Sequence, residues 1–239
     1  MSVAEVKDLI LYCQPIYRVT GVDQAQVVDY ELLLRQANGQ AVAVEQLNHW
    51  MSVTERRKQM RAWVISELET FFDAHPEIIL NLNIDPWQFI YPDSWDYLNE
   101  LQRLNKQLHL EITERNSTGT KLPHFTDLLD NLKQREFVVS LDDVGSGYNS
   151  LQTVLNNSQY LDRIKFSLLI FGQKDHSSEV LFAQAWQDLA CRRGLEMVVE
   201  GVECPCLVEE LIQCHCQLQQ GFYWQKPLPL RAITSKIHS

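Results

Sequence analysis

Short strand-like runs alternate with longer helix-like stretches along nearly the whole chain, and this alternation limits the possible folds more than any other feature. The runs lie near residues 10–17, 27–33, 78–83, 108–112, 137–142, 161–166, 196–200 and 218–222. Between them, apolar residues recur at helical spacing: Met60, Trp63, Val64, Leu68 and Phe71; Phe125, Leu128, Leu129 and Leu132; Phe182, Ala185, Trp186, Leu189 and Ala190. Each stripe is the face of a helix packed on a sheet. Strands that alternate with helices build a parallel sheet, and eight of them suggest closure into a barrel. The first two runs are joined by a short turn at Thr20-Gly21. That leaves seven clean strand-to-helix steps and makes one barrel strand antiparallel. The expected fold is therefore α/β, a modified (β/α)8 TIM-type barrel with one antiparallel strand, forming a single domain over 1–239. A barrel of this type takes about 250 residues, so the length leaves little room for an appended domain.

The formal net charge of -10 argues against a broad grip on a nucleic acid polymer, which needs clustered Lys and Arg. A small anionic ligand is compatible with it if metal ions supply positive charge. No uninterrupted apolar stretch approaches the ~20 residues of a membrane span. The N-terminal apolar run is too short and too poorly flanked by basic residues for a secretory signal, so the expected location is cytoplasmic. Six cysteines suit reduced thiols there, although Cys204, Cys206, Cys214 and Cys216 fall close together. Their C-x-C spacing is tighter than that of usual structural zinc sites, and buried or idle thiols are the favoured reading.

Polar residues stand late in the strand runs: Glu31, Asn83, Glu111, Asp142, Lys165, Glu200 and Gln220. In a barrel the carboxyl ends of the strands converge on one face, where residues distant in sequence meet. Four carboxylates with Asp143 beside them repel, since two unit charges ~4 Å apart cost ~4 kcal/mol at an effective dielectric near 20. Either several are protonated or a cation lies among them. Carboxylates with an Asn carbonyl suit hard ions such as Mg²⁺ or Mn²⁺, and Lys165 adds a fixed charge for a phosphate. Metal, lysine and carboxylates together read as phosphate-ester chemistry.

Seven segments, in order along the chain, carry a family resemblance: Gln14-Pro15-Ile16, Tyr30 to Arg35, Asn83 to Pro86, Glu111 to Glu114, Asp142 to Tyr148, Glu200 to Glu203, and Gln220-Gly221-Phe222 through Lys226 to Pro229. The set resembles the signature blocks of EAL domains. That resemblance implies a modified barrel, commonly a homodimer, that opens cyclic di-GMP to linear pGpG with two Mg²⁺ or Mn²⁺ ions in bacterial second-messenger signalling. It also implies roles. Glu31, Asn83, Glu111 and Asp142 look like ligands of a first metal, with Asp142 and Asp143 serving a second. Glu200 looks like the residue that binds or deprotonates the attacking water, with Lys165 as its partner and Gln220 holding water and ligands. Arg35 looks like the grip on the other phosphate, with Leu33 and Gln14 beside the substrate. Glu114 and Glu203 look like anchors of the loops around the mouth.

The sequence also departs from the family pattern, at Leu32, Val144, Asp85 and above all Ser167, where active members usually carry Asp. Leu32 is expected to point away from the mouth, because strand side chains alternate. Val144 is expected to weaken loop packing, and Asp85 to add negative charge near an anionic ligand. These departures raise an alternative, a catalytically weak or inactive domain that acts as a cyclic di-GMP receptor or binds a regulatory protein partner.

Overall fold

The computed structural model describes residues 6–113, 125–172 and 175–234. Eight strands close into a barrel: β1 (Leu9–Gly21), β2 (Gln24–Gln36), β3 (Leu80–Ile84), β4 (Leu108–Ile112), β5 (Val139–Leu141), β6 (Arg163–Ser167), β7 (Glu196–Glu200) and β8 (Leu218–Gln219). From β2 to β8 each strand runs parallel to the next, while β1 pairs antiparallel with both β2 and β8 and so closes the ring. A two-residue strand β9 (Leu228–Pro229) lies along β1. The reversed strand follows from the tight connection seen in the sequence, since only Val22 and Asp23 separate β1 from β2. A two-residue link permits a hairpin and forbids a parallel crossover.

Among the described residues, seven α-helices cover the barrel: α1 (Val44–Ser52), α2 (Thr54–Ala74), α3 (Asp93–Leu101), α4 (Phe125–Gln134), α5 (Leu151–Asn157), α6 (His176–Arg193) and α7 (Pro205–Gln213). Six strands, rather than the expected seven, are followed by an α-helix among the described residues. The chain after β8 carries Pro227 and Pro229, which remove backbone donors, and it returns to β1 as β9 instead.

Strand alternation sorts the side chains into two sets. Leu80, Leu110, Ile112, Val139, Leu141, Ile164, Phe166 and Val199 face outward and pack with Leu68, Leu98, Leu129, Ala190 and Leu211 of the helices in one large apolar core. The inward set is largely polar, relieved by a small cluster of Ile16, Val198 and Leu218. Its lower layer is built on a buried ion pair. Arg163 Nη2 donates to Asp29 Oδ2 at 2.8 Å and to Glu196 Oε2 at 2.8 Å, and Asn81 Nδ2 donates to Asp29 Oδ1 at 2.9 Å. Burial opposes the charge on Arg163, but Asp29 and Glu196 hold its guanidinium above the ordinary value. His109 and Ser140 belong to the same layer by position, and burial pushes the His109 imidazole down.

Removing one partner of such a pair leaves an uncompensated charge inside the barrel. Asp29→Ala should cost about 3–5 kcal/mol of unfolding free energy, read from the midpoint of urea denaturation. A variant in which Arg163→Met accompanies Asp29→Leu should lose much less. Equal losses would show that the pair does not support the barrel.

Candidate active site

Two residues above each member of the lower layer, the next inward positions form an upper layer at the carboxyl ends of the strands. Asp29 is followed by Glu31, Asn81 by Asn83, His109 by Glu111, Ser140 by Asp142 and Arg163 by Lys165, all on the period of two that a pleated strand imposes. Glu200 ends β7, Gln220 follows β8, and Gln14 enters from the reversed strand.

Lys165 is the hub of this layer and is only 1% exposed. Its Nζ lies 2.7 Å from Glu111 Oε1, 3.3 Å from Glu31 Oε2 and 4.0 Å from Asp142 Oδ1, and it is paired with Glu200 Oε1. Glu31 accepts further hydrogen bonds from Gln220 Nε2 at 2.7 Å and Asn83 Nδ2 at 3.2 Å. Gln220 is steadied in turn by Gln14, whose Oε1 lies 3.4 Å from Gln220 Nε2 and whose own Nε2 donates to the Gln225 carbonyl at 3.0 Å.

One lysine does not balance this much buried acid. Burial raises Glu31, but Lys165 and the bonds from Gln220 and Asn83 outweigh it and hold the carboxyl below its usual range. The other three are pushed up, by burial first and then by one another against the opposing pull of Lys165. Glu111 stands well above the ordinary carboxylate value, Asp142 is raised to about 6 and Glu200 to about 8. The same carboxylates hold Lys165 well above its ordinary value, overcoming burial.

The leftover hydrogen-bonding capacity has one sign. Asn83 Oδ1, Glu111 Oε2, Asp142 Oδ1 and Gln220 Oε1 are buried acceptors without hydrogen-bond donors among the described residues. Buried acceptors normally find a partner, and a cation is the partner that satisfies several at once. Ligand atoms of Glu31, Glu111 and Glu200 lie within 4.8 Å of one another, as do those of Asp142, Asp143 and Glu200. The residues present therefore fit hard divalent cations, with Glu200 common to two adjoining triads.

The loop after β5 is tightly held. Asp143 adopts a left-handed backbone, φ 46°, the Asn149 amide donates to the Asp142 carbonyl at 2.6 Å, and Val144 N–H donates to the Lys165 carbonyl at 3.0 Å. Gly145, φ 89°, lies against the Trp186 ring, 3.3 Å from where a Cβ would stand. Val144 is fully buried in the main core, so the loop is well packed in spite of the missing aromatic. Leu32 is buried in that core too, away from the mouth as the alternation requires. Asp85 lines the cavity that Arg35 borders. It is buried and accepts a hydrogen bond from Thr113 Oγ1 at 2.6 Å, which ties up part of the charge anticipated beside a ligand.

Arg35 lies at the side of the mouth, with Nη1 donating to the Leu34 carbonyl at 3.0 Å, and lines a cavity of about 280 Å³ with Leu33, Asn83, Asp85, Arg61 and Met51. A second hollow of about 150 Å³ lies over Glu31, Glu200, Gln14 and Gln220 and is walled by Leu169 and Phe222. Exposed Glu203 borders this hollow beyond Gly201, while Glu114 lies outside the described residues. Leu169 and the whole lower layer are missing from the residues singled out by sequence, and Phe222 appears there only within a signature segment, with no role given to it. The period of two running back from each late polar residue is the signal that points to the lower layer.

An eight-stranded α/β barrel with one reversed strand and an acidic, lysine-centred mouth defines a narrow structural class. The chain belongs to the EAL domain family, whose model matches residues 2–227. It is 28% identical over 162 residues to the probable cyclic di-GMP phosphodiesterase PdeI of Escherichia coli, covering 65% of this chain and 20% of that protein. It is 33% identical over 132 residues to the cyclic di-GMP phosphodiesterase NbdA of Pseudomonas aeruginosa, covering 53% of this chain and 16% of that protein. The chain thus spans about a fifth of the length of these relatives. Among solved structures, the PaMucR phosphodiesterase in complex with c-di-GMP superposes with a TM-score of 0.71 at 25% identity, covering 93% of each chain.

The raised carboxyls have a consequence for metal-free protein. Asp142 and Glu200 bind more protons folded than unfolded between pH 5 and 8, so their contribution to stability is present below that window and is lost as pH rises through it. Protein stripped with chelator should be less stable at pH 8 than at pH 6 in urea titrations, and Glu200→Gln should flatten the slope. A slope unchanged by that substitution would refute the assignment.

Proposed function

We propose that this chain hydrolyses one phosphodiester bond of cyclic di-GMP to give linear pGpG, using two Mg²⁺ or Mn²⁺ ions at its mouth. The observation that carries the reading is the convergence of four acceptors that lack hydrogen-bond donors, Asn83 Oδ1, Glu111 Oε2, Asp142 Oδ1 and Gln220 Oε1, around a buried lysine in a chain whose relatives include proteins named as cyclic di-GMP phosphodiesterases.

Glu31, Asn83, Glu111 and Asp142 would hold one ion and Asp142 and Asp143 the other, with Glu200 beside both groups. Bound divalent ions supply Lewis acidity and make a coordinated water acidic enough to be a nucleophile near neutral pH. Positive charge bound there would draw Glu200 down from its raised value, so that it would act as a carboxylate able to take a proton from the attacking water. Lys165 keeps Glu200 and Glu111 in place and offers a fixed positive charge at the reacting phosphate. Gln220, oriented by Gln14, fixes Glu31. Arg35 presents a planar fork to the second phosphate, beside Leu33. The water oxygen would bond to phosphorus as its proton passes to Glu200, and the P–O3′ bond would break with O3′ taking a proton from solvent to leave as the alcohol, opening the ring with its phosphate on the 5′ side.

Two copies of the chain associate in this reading. Tyr148, Leu151, Leu169, Ile170, Leu181 and Phe182 are exposed apolar residues near the β5 and β6 loops, and pairing through them would join mouth to mouth partner. No helix among the described residues is long and apolar enough to cross a membrane. We place the domain in the cytoplasm, where the dinucleotide is made and used.

A receptor role is the second reading, and Ser167 is what favours it. The residue is buried at the end of β6, directly across from Glu200 in the β6–β7 register, where a neutral hydroxyl adds no charge for a cation.

Incubation of purified protein with cyclic di-GMP and Mn²⁺, followed by chromatography, should yield pGpG; binding without product would favour the receptor. Glu111→Ala should abolish product formation while the protein stays folded, and near-wild-type turnover would refute the site. Ser167→Asp should lower the Mg²⁺ concentration for half-maximal activity by about 10–100-fold, with Mn²⁺ narrowing the gap. Overlapping metal titrations of the two proteins would mean that Ser167 is harmless.

A further inference from the structure

A second group of metal-binding side chains lies outside the acidic mouth. Cys204 is the N-cap of α7, Cys206 is its second residue and His176 is the first residue of α6. The structure joins Cys204 and Cys206 as a disulfide, with Cα atoms 5.5 Å apart, and sets His176 Nδ1 3.8 Å from Cys206 Sγ. One donor atom from each of the three lies within 4.8 Å of the others. Cys214 and Cys216, at the far end of α7, are free thiols, so the four clustered cysteines do not form one site.

We propose that, with the bridge reduced, Cys204, Cys206 and His176 bind one Zn²⁺-class ion. Thiolate and imidazole are the ligands that Zn²⁺ favours, and two sulfurs with one nitrogen are three corners of its usual tetrahedron. The i, i+2 spacing is tighter than the common motif. Here the backbone compensates, extended at Cys204 and helical from Pro205 onward, so both sulfurs turn to the same side. Both helices present their amino-terminal ends, whose positive partial charge favours thiolate over thiol. A hollow of about 140 Å³ adjoins the triad and is lined by His176, Cys204, Glu179, Glu203, Gly201 and Leu169, leaving room for water or a carboxylate as fourth ligand.

Forming the site from the bridge takes two electrons and two protons, which a dithiol reductant supplies as it becomes a disulfide. Each cysteine then releases its proton as the ion binds. The ion would pin α6 to α7 at the end of the same loop that begins with Glu200, four residues before Cys204.

The test uses Co²⁺ as a spectroscopic probe on reduced, metal-stripped protein. Thiolate ligation gives an intense sulfur-to-cobalt charge-transfer band, which the all-oxygen mouth does not produce. One equivalent of Co²⁺ should raise the band and Zn²⁺ should quench it. Cys206→Ser should abolish it, and His176→Ala should weaken Co²⁺ binding at least about tenfold. Glu111→Ala and Cys214→Ser should leave it unchanged, which keeps this result separate from that of the phosphodiesterase assay. The proposal is overturned if reduced wild-type protein with both thiols titratable shows no band. Persistence of the band in Cys206→Ser would overturn it too, as would a Cys204–Cys206 bridge that resists the reductant.

Discussion

Charge balance inside the barrel governs the rest of this structure. Lys165 meets Glu31, Glu111, Asp142 and Glu200 in a space nearly closed to water, and Arg163 meets Asp29 and Glu196 one layer below. Each cation is held above its ordinary value by the acids around it. The two layers differ in what remains. The lower one nearly balances its charge with its own side chains and acts as a floor, whereas the upper one carries surplus acid. A barrel lined with aliphatic residues would be simpler to stabilise. This one keeps a polar interior because the surplus at its top can be met only from outside the chain.

The helices serve that arrangement indirectly. Their apolar faces bury the outward side of the strands, which fixes strand register, and register places Asn83 level with Glu111 and Ser167 level with Glu200. An error of one residue in any strand would turn its polar members into the aliphatic core. Close approaches in the loops add to this precision. A Cβ on Gly221 would stand 2.1 Å from the Val202 carbonyl oxygen, so the β7 and β8 loops can touch only because that side chain is missing.

Much of this was legible in the sequence, because the late position of a polar residue in an apolar run is a local pattern with a global meaning once the runs close into a ring. Glu31, Asn83, Glu111, Asp142, Lys165, Glu200 and Gln220 do meet. The lower layer was harder to see, since Asn81, His109 and Ser140 look like ordinary residues of short strands until the barrel shows Asn81 and Ser140 fully buried and His109 partly so. Lys165 was read as a charge for phosphate, and its part as the common neighbour of four acids needed coordinates. Asp85 was read from its charge alone, but its bond from Thr113 joins two loops that no spacing rule connects. Cys204 and His176 are likewise brought together only by the packing of α6 beside α7.

The reversed first strand changes how the molecule is wired. In an ordinary parallel barrel the polypeptide enters from the floor and every strand climbs toward the catalytic rim. Here β1 descends, so the segment from Val6 to Leu9 lies at the rim, packed with Trp50, Met51, Met60 and Trp87, and Gln14 lies further down the same strand, level with Glu31. Gln14 therefore joins the entry strand to Gln220 and Glu31 through two hydrogen bonds. The reversed topology makes the incoming strand itself part of the wall of the mouth.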